Sequence, residues 1–167
     1  MFNDIQKSID LHILKDPDGK TIGAPNYLIA VGLSCYTEYW GKLSLGLSRE
    51  RDTSKKCYEE FLKRLGKSYN LNPYEQLLKK EVPVYQDIRC GLVHAYAVDR
   101  NCSVNLDDGN RQCGICYDEY KDYYDFNVVT YFKDFRHAVD MYVYGLQRGT
   151  ESILNMNNAM KGRPLLI

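Results

Sequence analysis

Residues 124–149 read YDFNVVTYFKDFRHAVDMYVYGLQRG, and the hydrophobic period changes inside this stretch. Tyr124, Phe126 and Val128 alternate, as side chains of a half-buried strand do; Phe132, Phe135, Val139, Tyr142, Val143 and Leu146 then recur at helical spacing. The run closes on Arg148 and Gly149, a basic last-turn residue and a C-terminal glycine. The spacing therefore predicts a strand that leads into a long core helix. Upstream the alternation occurs twice more, in Cys102, Val104 and Leu106 before the turn signal Asp107-Asp108-Gly109-Asn110, and in Cys113, Ile115 and Tyr117 after it. These runs predict a small antiparallel β-meander over about residues 101–130, inserted before the last long helix.

Everything further upstream has helical period. Phe2, Ile5, Ile9 and Ile13 keep one face until Asp16-Pro17-Asp18-Gly19 breaks the run. Pro25 suits the first turn of a second helix reaching about Gly41, and Tyr27, Leu28, Ile29, Ala30, Val31, Leu33 and Cys35 make it apolar on most sides, as a central helix is. Tyr58, Phe61, Leu62, Leu65 and Tyr69 place a stripe on a third helix of about residues 54–68. Asn72-Pro73-Tyr74-Glu75 combines a cap, a first-turn proline and a carboxylate three residues after the cap, so a short helix should reach about Lys80, with another from about Val84 to Val98. After the last long helix, the tail adds a short turn of helix. The fold class is mainly α (α+β): a bundle of about five helices with a small sheet, in a single domain spanning 1–167.

Composition fits that reading. The chain has 167 residues, 44% hydrophobic and 26% charged, which is ordinary globular usage and excludes a disordered chain. Twenty-two basic residues balance twenty-two acidic ones, which excludes bulk electrostatic coating of nucleic acid and a polybasic membrane anchor. No apolar run is long enough to span a bilayer, and Met-Phe-Asn-Asp-Ile-Gln-Lys lacks signal-peptide features, so the expected location is cytoplasmic, with no membrane partner. The six cysteines are spread too unevenly for a disulfide scaffold and are expected as reduced thiols. Charge is divided: residues 42–80 hold ten basic and five acidic side chains, 99–125 three basic and seven acidic. The basic segment is either a solvated face or a local phosphate-facing surface of Lys55, Lys56, Lys63, Arg64 and Lys67.

The segment with chemistry in it is Asp87-Ile88-Arg89-Cys90-Gly91-Leu92-Val93-His94-Ala95-Tyr96. On an α-helix Val84, Tyr85, Ile88, Leu92 and Ala95 share a core face. A second face runs from Arg89 through Gln86, Val93, Ala97 and Cys90 to His94, so an Arg and a His flank a strip of small side chains open to close approach by another helix.

Arg89 and His94 match the R-x4-H signature of the HEPN superfamily, and with Tyr96 the segment resembles the R-x4-H-x-Y form seen in toxins of HEPN/MNT toxin-antitoxin pairs. Nine arginines and three histidines give this spacing by chance roughly 0.16 times in such a chain, and the added tyrosine lowers that to about 0.015, so Tyr96 carries most of the discrimination. The resemblance implies a metal-independent endoribonuclease that needs no cofactor, works as a homodimer with both motifs lining one cleft, and belongs to a toxin or antiphage system with an antitoxin protein as a further partner. Arg89 and His94 are then the catalytic pair, and Tyr96, Cys90, Gln86, Lys56 and Lys63 are candidates for RNA contact. The sequence departs from the family at Cys90, where active members often carry Asn, Asp or His.

The chemistry suits those side chains. RNA supplies its own nucleophile in the 2′-hydroxyl, a histidine near neutral pKa can exchange the protons, and an arginine fork stays charged and binds phosphate in bidentate fashion. Two other readings stand beside it: a catalytically inactive HEPN-like module that binds RNA, nucleotide or protein, and a small zinc-stabilised protein built on Cys113-Gly114-Ile115-Cys116 with Cys102. His12 and His137 lie on helical runs, where packing roles are commoner than catalysis.

Overall fold

The structure is a computed structural model that describes residues 1–11, 14, 17–20, 25–47, 53–69, 84–95, 101–107, 111–118, 120–121 and 123–161. Its helices are α1 (Phe2–Asp10), α2 (Asn26–Leu45), α3 (Ser54–Arg64) followed by a 3₁₀ turn (Lys67–Tyr69), α4 (a π-helical stretch Tyr85–Cys90 running into an α-helical Gly91–Ala95), α5 (Val128–Arg148) and α6 (Ile153–Met160). Three strands, β1 (Asn101–Asn105), β2 (Ile115–Asp118) and β3 (Tyr123–Asn127), lie between α4 and α5. The mainly α, α+β class holds. The short helix expected up to Lys80 lies outside the described residues, and the tail forms a two-turn helix rather than a single turn.

Helix α2 is the centre of the bundle, with α3, α4, α5, α6, α1 and β1 all packed on it. It runs past the expected end at Gly41 to Leu45 and closes at Gly46, whose φ of 71° is left-handed. Gly41 has a different use. A Cβ there would overlap the Cys57 carbonyl, so the glycine lets α2 and α3 approach backbone to backbone. Ile29, Ala30, Leu33, Phe61, Ile88, Leu92, Phe126 and Phe135 form the middle of the core, all 2% exposed or less. Among the described residues, no helix is long and apolar enough to cross a membrane.

Alternation picks out the core positions of β1 and β3, where Val104, Tyr124 and Phe126 are buried, whereas in β2 only Ile115 is buried and Cys116 and Tyr117 are both half-buried. The pairing differs from an antiparallel meander. The order is β1-β3-β2, with β1 parallel to β3 and β2 antiparallel to it, so the sheet is mixed. Asp107 therefore begins a connection past the central strand rather than a β1–β2 hairpin. A polar network fixes this arrangement: Arg111 forms ion pairs with Asp107 (2.8 Å) and Asp125, and Asn127 Nδ2 donates to Asn105 Oδ1 (2.6 Å) and to the Asp107 carbonyl (2.7 Å). Two carboxylates of the acidic segment, Asp107 and Asp125, are thus neutralised by Arg111. Asn127 also caps α5 by accepting from the Thr130 N–H at 2.8 Å, and Gly149, with φ 73°, ends that helix where the sequence places its end.

Candidate functional site

The motif segment is not a regular α-helix. From Tyr85 to Cys90 it is wound with i→i+5 hydrogen bonds, and it tightens to α from Gly91. The wider turn brings Asp87 into the core beside Ile88 and Leu92, a position that an α-helical wheel does not give it. There the Tyr124 hydroxyl donates to its carboxylate at 3.1 Å. Gln86 is exposed, and Cys90 and Val93 are half-buried, in keeping with a second, open face.

Arg89 is the described centre of the site. Its Nη2 lies 2.5 Å from Oε2 of Glu38, on α2, and its guanidinium sits 5.4 Å from the centre of the Tyr85 ring. Glu38 uses its other oxygen for two more partners: Lys42 Nζ at 2.6 Å, one turn along α2, and the Ser54 hydroxyl at 2.7 Å, at the head of α3. Burial opposes ionisation of Glu38, but hydrogen bonds from Lys42 and Ser54, with the charge of Arg89, outweigh it and hold the carboxyl below its usual range. Burial likewise works against the charge on Arg89, and Glu38 more than restores it. One carboxylate between two cations leaves a net positive charge in this corner of the fold.

Neighbouring groups respond to that charge. Cys35 is exposed, but the protein screens part of its thiol from water and so pushes it up, and Arg89 pulls the other way. Tyr85 is raised by burial, again against the pull of Arg89. His94 belongs by its backbone to Gly91–Ala95, one element with Arg89; its side chain, Tyr96 and Ala97 lie outside the described residues.

The basic surface is reduced to part of its expected extent. Lys56 and Lys63 are exposed on α3 and, seven residues apart, share a face; Lys67 is exposed beyond them. Lys55 pairs with Glu59 at 3.7 Å. Arg64 turns away to Glu151, with Nη1 at 2.5 Å from the carboxylate, and stacks over Tyr142. It is a structural residue.

Cys113 and Cys116 lie side by side, whereas Cys102 stands on β1 with its thiol pushed up to about 11 by burial. Among the described residues no group of three or more His, Cys, Asp or Glu side chains converges as a metal ion would require. His137 is exposed on α5, and His12 lies outside the described residues. An apolar cavity of about 500 Å³, lined by Phe2, Trp40, Leu43, Val139, Tyr144 and Met156 among others, opens between α1, α2, α5 and α6 and includes no motif residue.

Glu38 is the site residue that pattern reading passes over. The signal was present, because it is the only charged side chain between Asn26 and Gly41 in an otherwise apolar helix, and a lone carboxylate on a buried helix has to be paired. The chain matches no protein-family model, no curated protein and no solved structure.

Proposed function

We propose that this chain is a metal-independent endoribonuclease of HEPN type that acts as a homodimer in the cytoplasm, with Arg89 and His94 as its catalytic pair. One observation supports the reading above the others: the motif arginine is held by Glu38 and Tyr85 inside a cluster with net positive charge, half-way between core and solvent, where a phosphate oxygen can approach. His94 takes the proton from a ribose 2′-hydroxyl, the oxygen attacks the adjacent phosphorus, the bond to the 5′-oxygen breaks, and that oxygen leaves with the proton that His94 gives back. The products are a 2′,3′-cyclic phosphate and a 5′-hydroxyl. Arg89 binds the non-bridging oxygens as charge builds on them. Gln86, Cys90 and Tyr96 flank the reacting groups along the helix, and Lys56 and Lys63 guide the RNA backbone. The half-buried strip of Cys90 and Val93 receives the partner protomer. A toxin role opposed by an antitoxin belongs to the same reading.

The Glu38–Arg89 ion pair also favours a second reading, in which the arginine is a structural group and the protein binds RNA or a partner without cutting. Purified protein in EDTA decides between them. A nuclease cleaves RNA to cyclic phosphate ends, and either Arg89→Ala or His94→Ala lowers the rate by at least about a hundredfold with the fold retained. Binding without cleavage installs the second reading. Full activity in His94→Ala, or a monomer by light scattering at high micromolar concentration, removes the composite site.

A further inference from the structure

The run Cys113-Gly114-Ile115-Cys116 leads into β2 and brings two sulfurs together, with Sγ of Cys113 3.0 Å from Sγ of Cys116. The loop is held from several sides. The Gly114 N–H donates to the Tyr69 hydroxyl at 2.5 Å, the Gly114 carbonyl accepts from the Asn127 N–H at 2.8 Å, and a Cβ on Gly114 would overlap the backbone of Tyr131. The spacing of the two thiols is therefore set by the core. Their surroundings differ: Cys113 is 6% exposed, with its Sγ 3.0 Å from the Ile115 carbonyl oxygen, while Cys116 is half-buried and reaches solvent.

We propose that Cys113 and Cys116 form a second reactive site, a dithiol that exchanges with small disulfides of the glutathione type, with Cys116 as the attacking sulfur and Cys113 as the resolving one. In the first step the Cys116 thiolate attacks one sulfur of the small disulfide, a mixed disulfide forms, and the other half leaves as a thiolate. In the second step Cys113 gives up its proton to that thiolate and attacks Sγ of Cys116. The Cys113–Cys116 bond forms, and the remaining half leaves as a thiolate that takes from water the proton Cys116 gave up on ionising. The dithiol loses two electrons, and the small disulfide gains them as two thiols. Closing the bond needs the sulfurs to approach by only about 1 Å, since a disulfide spans roughly 2.05 Å. Electrostatics assign the same roles. The hydrogen bond from Cys113 brings Cys116 down to about 6 against its own burial, with Arg111 adding to the effect, while Cys116 and then burial push Cys113 far up.

The test uses the full chain, reduced, freed of reductant under nitrogen and exposed to oxidised glutathione, with acid quenching, alkylation and peptide mapping by mass spectrometry. Wild type should yield a Cys113–Cys116 disulfide. Cys113→Ser should stop at a glutathione adduct on Cys116, and Cys116→Ser should leave Cys113 unmodified. At pH 6 the gain in thiolate outweighs the loss of nucleophilicity, so Cys116 should react roughly tenfold faster than the exposed thiol of Cys35. The proposal fails if folded wild type takes glutathione on Cys35 as fast and forms no Cys113–Cys116 bond. It also fails if Cys113→Ser, with a wild-type circular dichroism spectrum, gives no adduct on Cys116. Should the serine variant not fold, Cys113→Ala replaces it, and the wild-type mapping decides without any substitution.

Discussion

Replacing Glu38 by Gln removes the charge around which the arginine cluster is built while keeping the shape of the side chain. In the folded protein Oε1 accepts from Lys42 and Ser54, and Oε2 faces Arg89, with the carboxylate only 7% exposed. A glutamine amide can still serve Ser54, but its NH₂ group then confronts the donors of Arg89 or Lys42. Removing one partner of a buried ion pair costs about 3–5 kcal/mol. Arg89 and Lys42 keep 15% and 24% of their side chains exposed, so water takes up part of that loss, and the expected destabilisation is about 2–3 kcal/mol. With a urea dependence of about 2 kcal/mol/M, the unfolding midpoint falls by roughly 1–1.5 M. Acid provides an independent check. Because the folded carboxyl ionises below its unfolded value, its contribution is complete above about pH 4.3 and disappears as pH falls through the lower folded value. The two proteins should therefore converge in stability as the medium is acidified. A loss under about 0.5 kcal/mol at neutral pH, or a gap between the proteins that persists into acid, would refute the reasoning.

Three further substitutions probe the frame around the site. Gly41→Ala places a methyl group on the Cys57 carbonyl and should lower stability by more than about 3 kcal/mol in chemical denaturation, far beyond any gain in helix propensity. Asn127→Ala removes the α5 cap together with the bridge to Asn105 and Asp107, for an expected loss of about 2–3 kcal/mol by thermal or urea unfolding. Tyr69→Phe leaves the Gly114 N–H without its acceptor and Asp134 without the hydroxyl that donates to it at 2.6 Å, so about 2 kcal/mol should be lost and the Gly114 amide should exchange faster with deuterium.

Local patterns in the sequence carry most of the element boundaries, and their limits are physical. The end of α5 is legible because Arg148 and Gly149 act within one turn of the helix. The buried face of β1 and of β3 is legible because alternation depends only on nearest neighbours along the chain. Pairing is not legible in the same way: Val104 and Ile115 both lie opposite Phe126, a choice made by Asn127, Asn105, Asp107 and Arg111 acting together across the sheet. Nor does spacing reveal the i→i+5 winding at Arg89, which turns Asp87 inward toward Tyr124. In the site, the motif arginine is visible in one dimension, whereas its counter-ion lies on another helix and is marked only by being a solitary charge.

The way Arg89 is held makes its replacement by lysine the most discriminating test of what it does. Oε2 of Glu38 has the arginine as its ion-pair partner, while Lys42 and Ser54 occupy Oε1. Arg89 cannot swing fully onto a phosphate without stranding a buried carboxylate oxygen, which costs about 1–3 kcal/mol or more. To hold a phosphate it would have to keep one edge on Glu38 and offer the other to the ligand, a division that a planar five-donor fork allows and a single ammonium does not. If the arginine is only a counter-ion, Arg89→Lys should be nearly silent, because a point charge beside Glu38 restores the pair. If it holds phosphate, the same variant should stay within about 1 kcal/mol of wild type in stability yet lose RNA cleavage by at least about tenfold, with Arg89→Ala less stable but still folded and cleaving at least about a hundredfold more slowly. Urea unfolding and single-turnover cleavage on the same samples separate the two roles. A lysine variant that folds and cuts like wild type would mean that Arg89 serves the fold and that phosphate is held elsewhere.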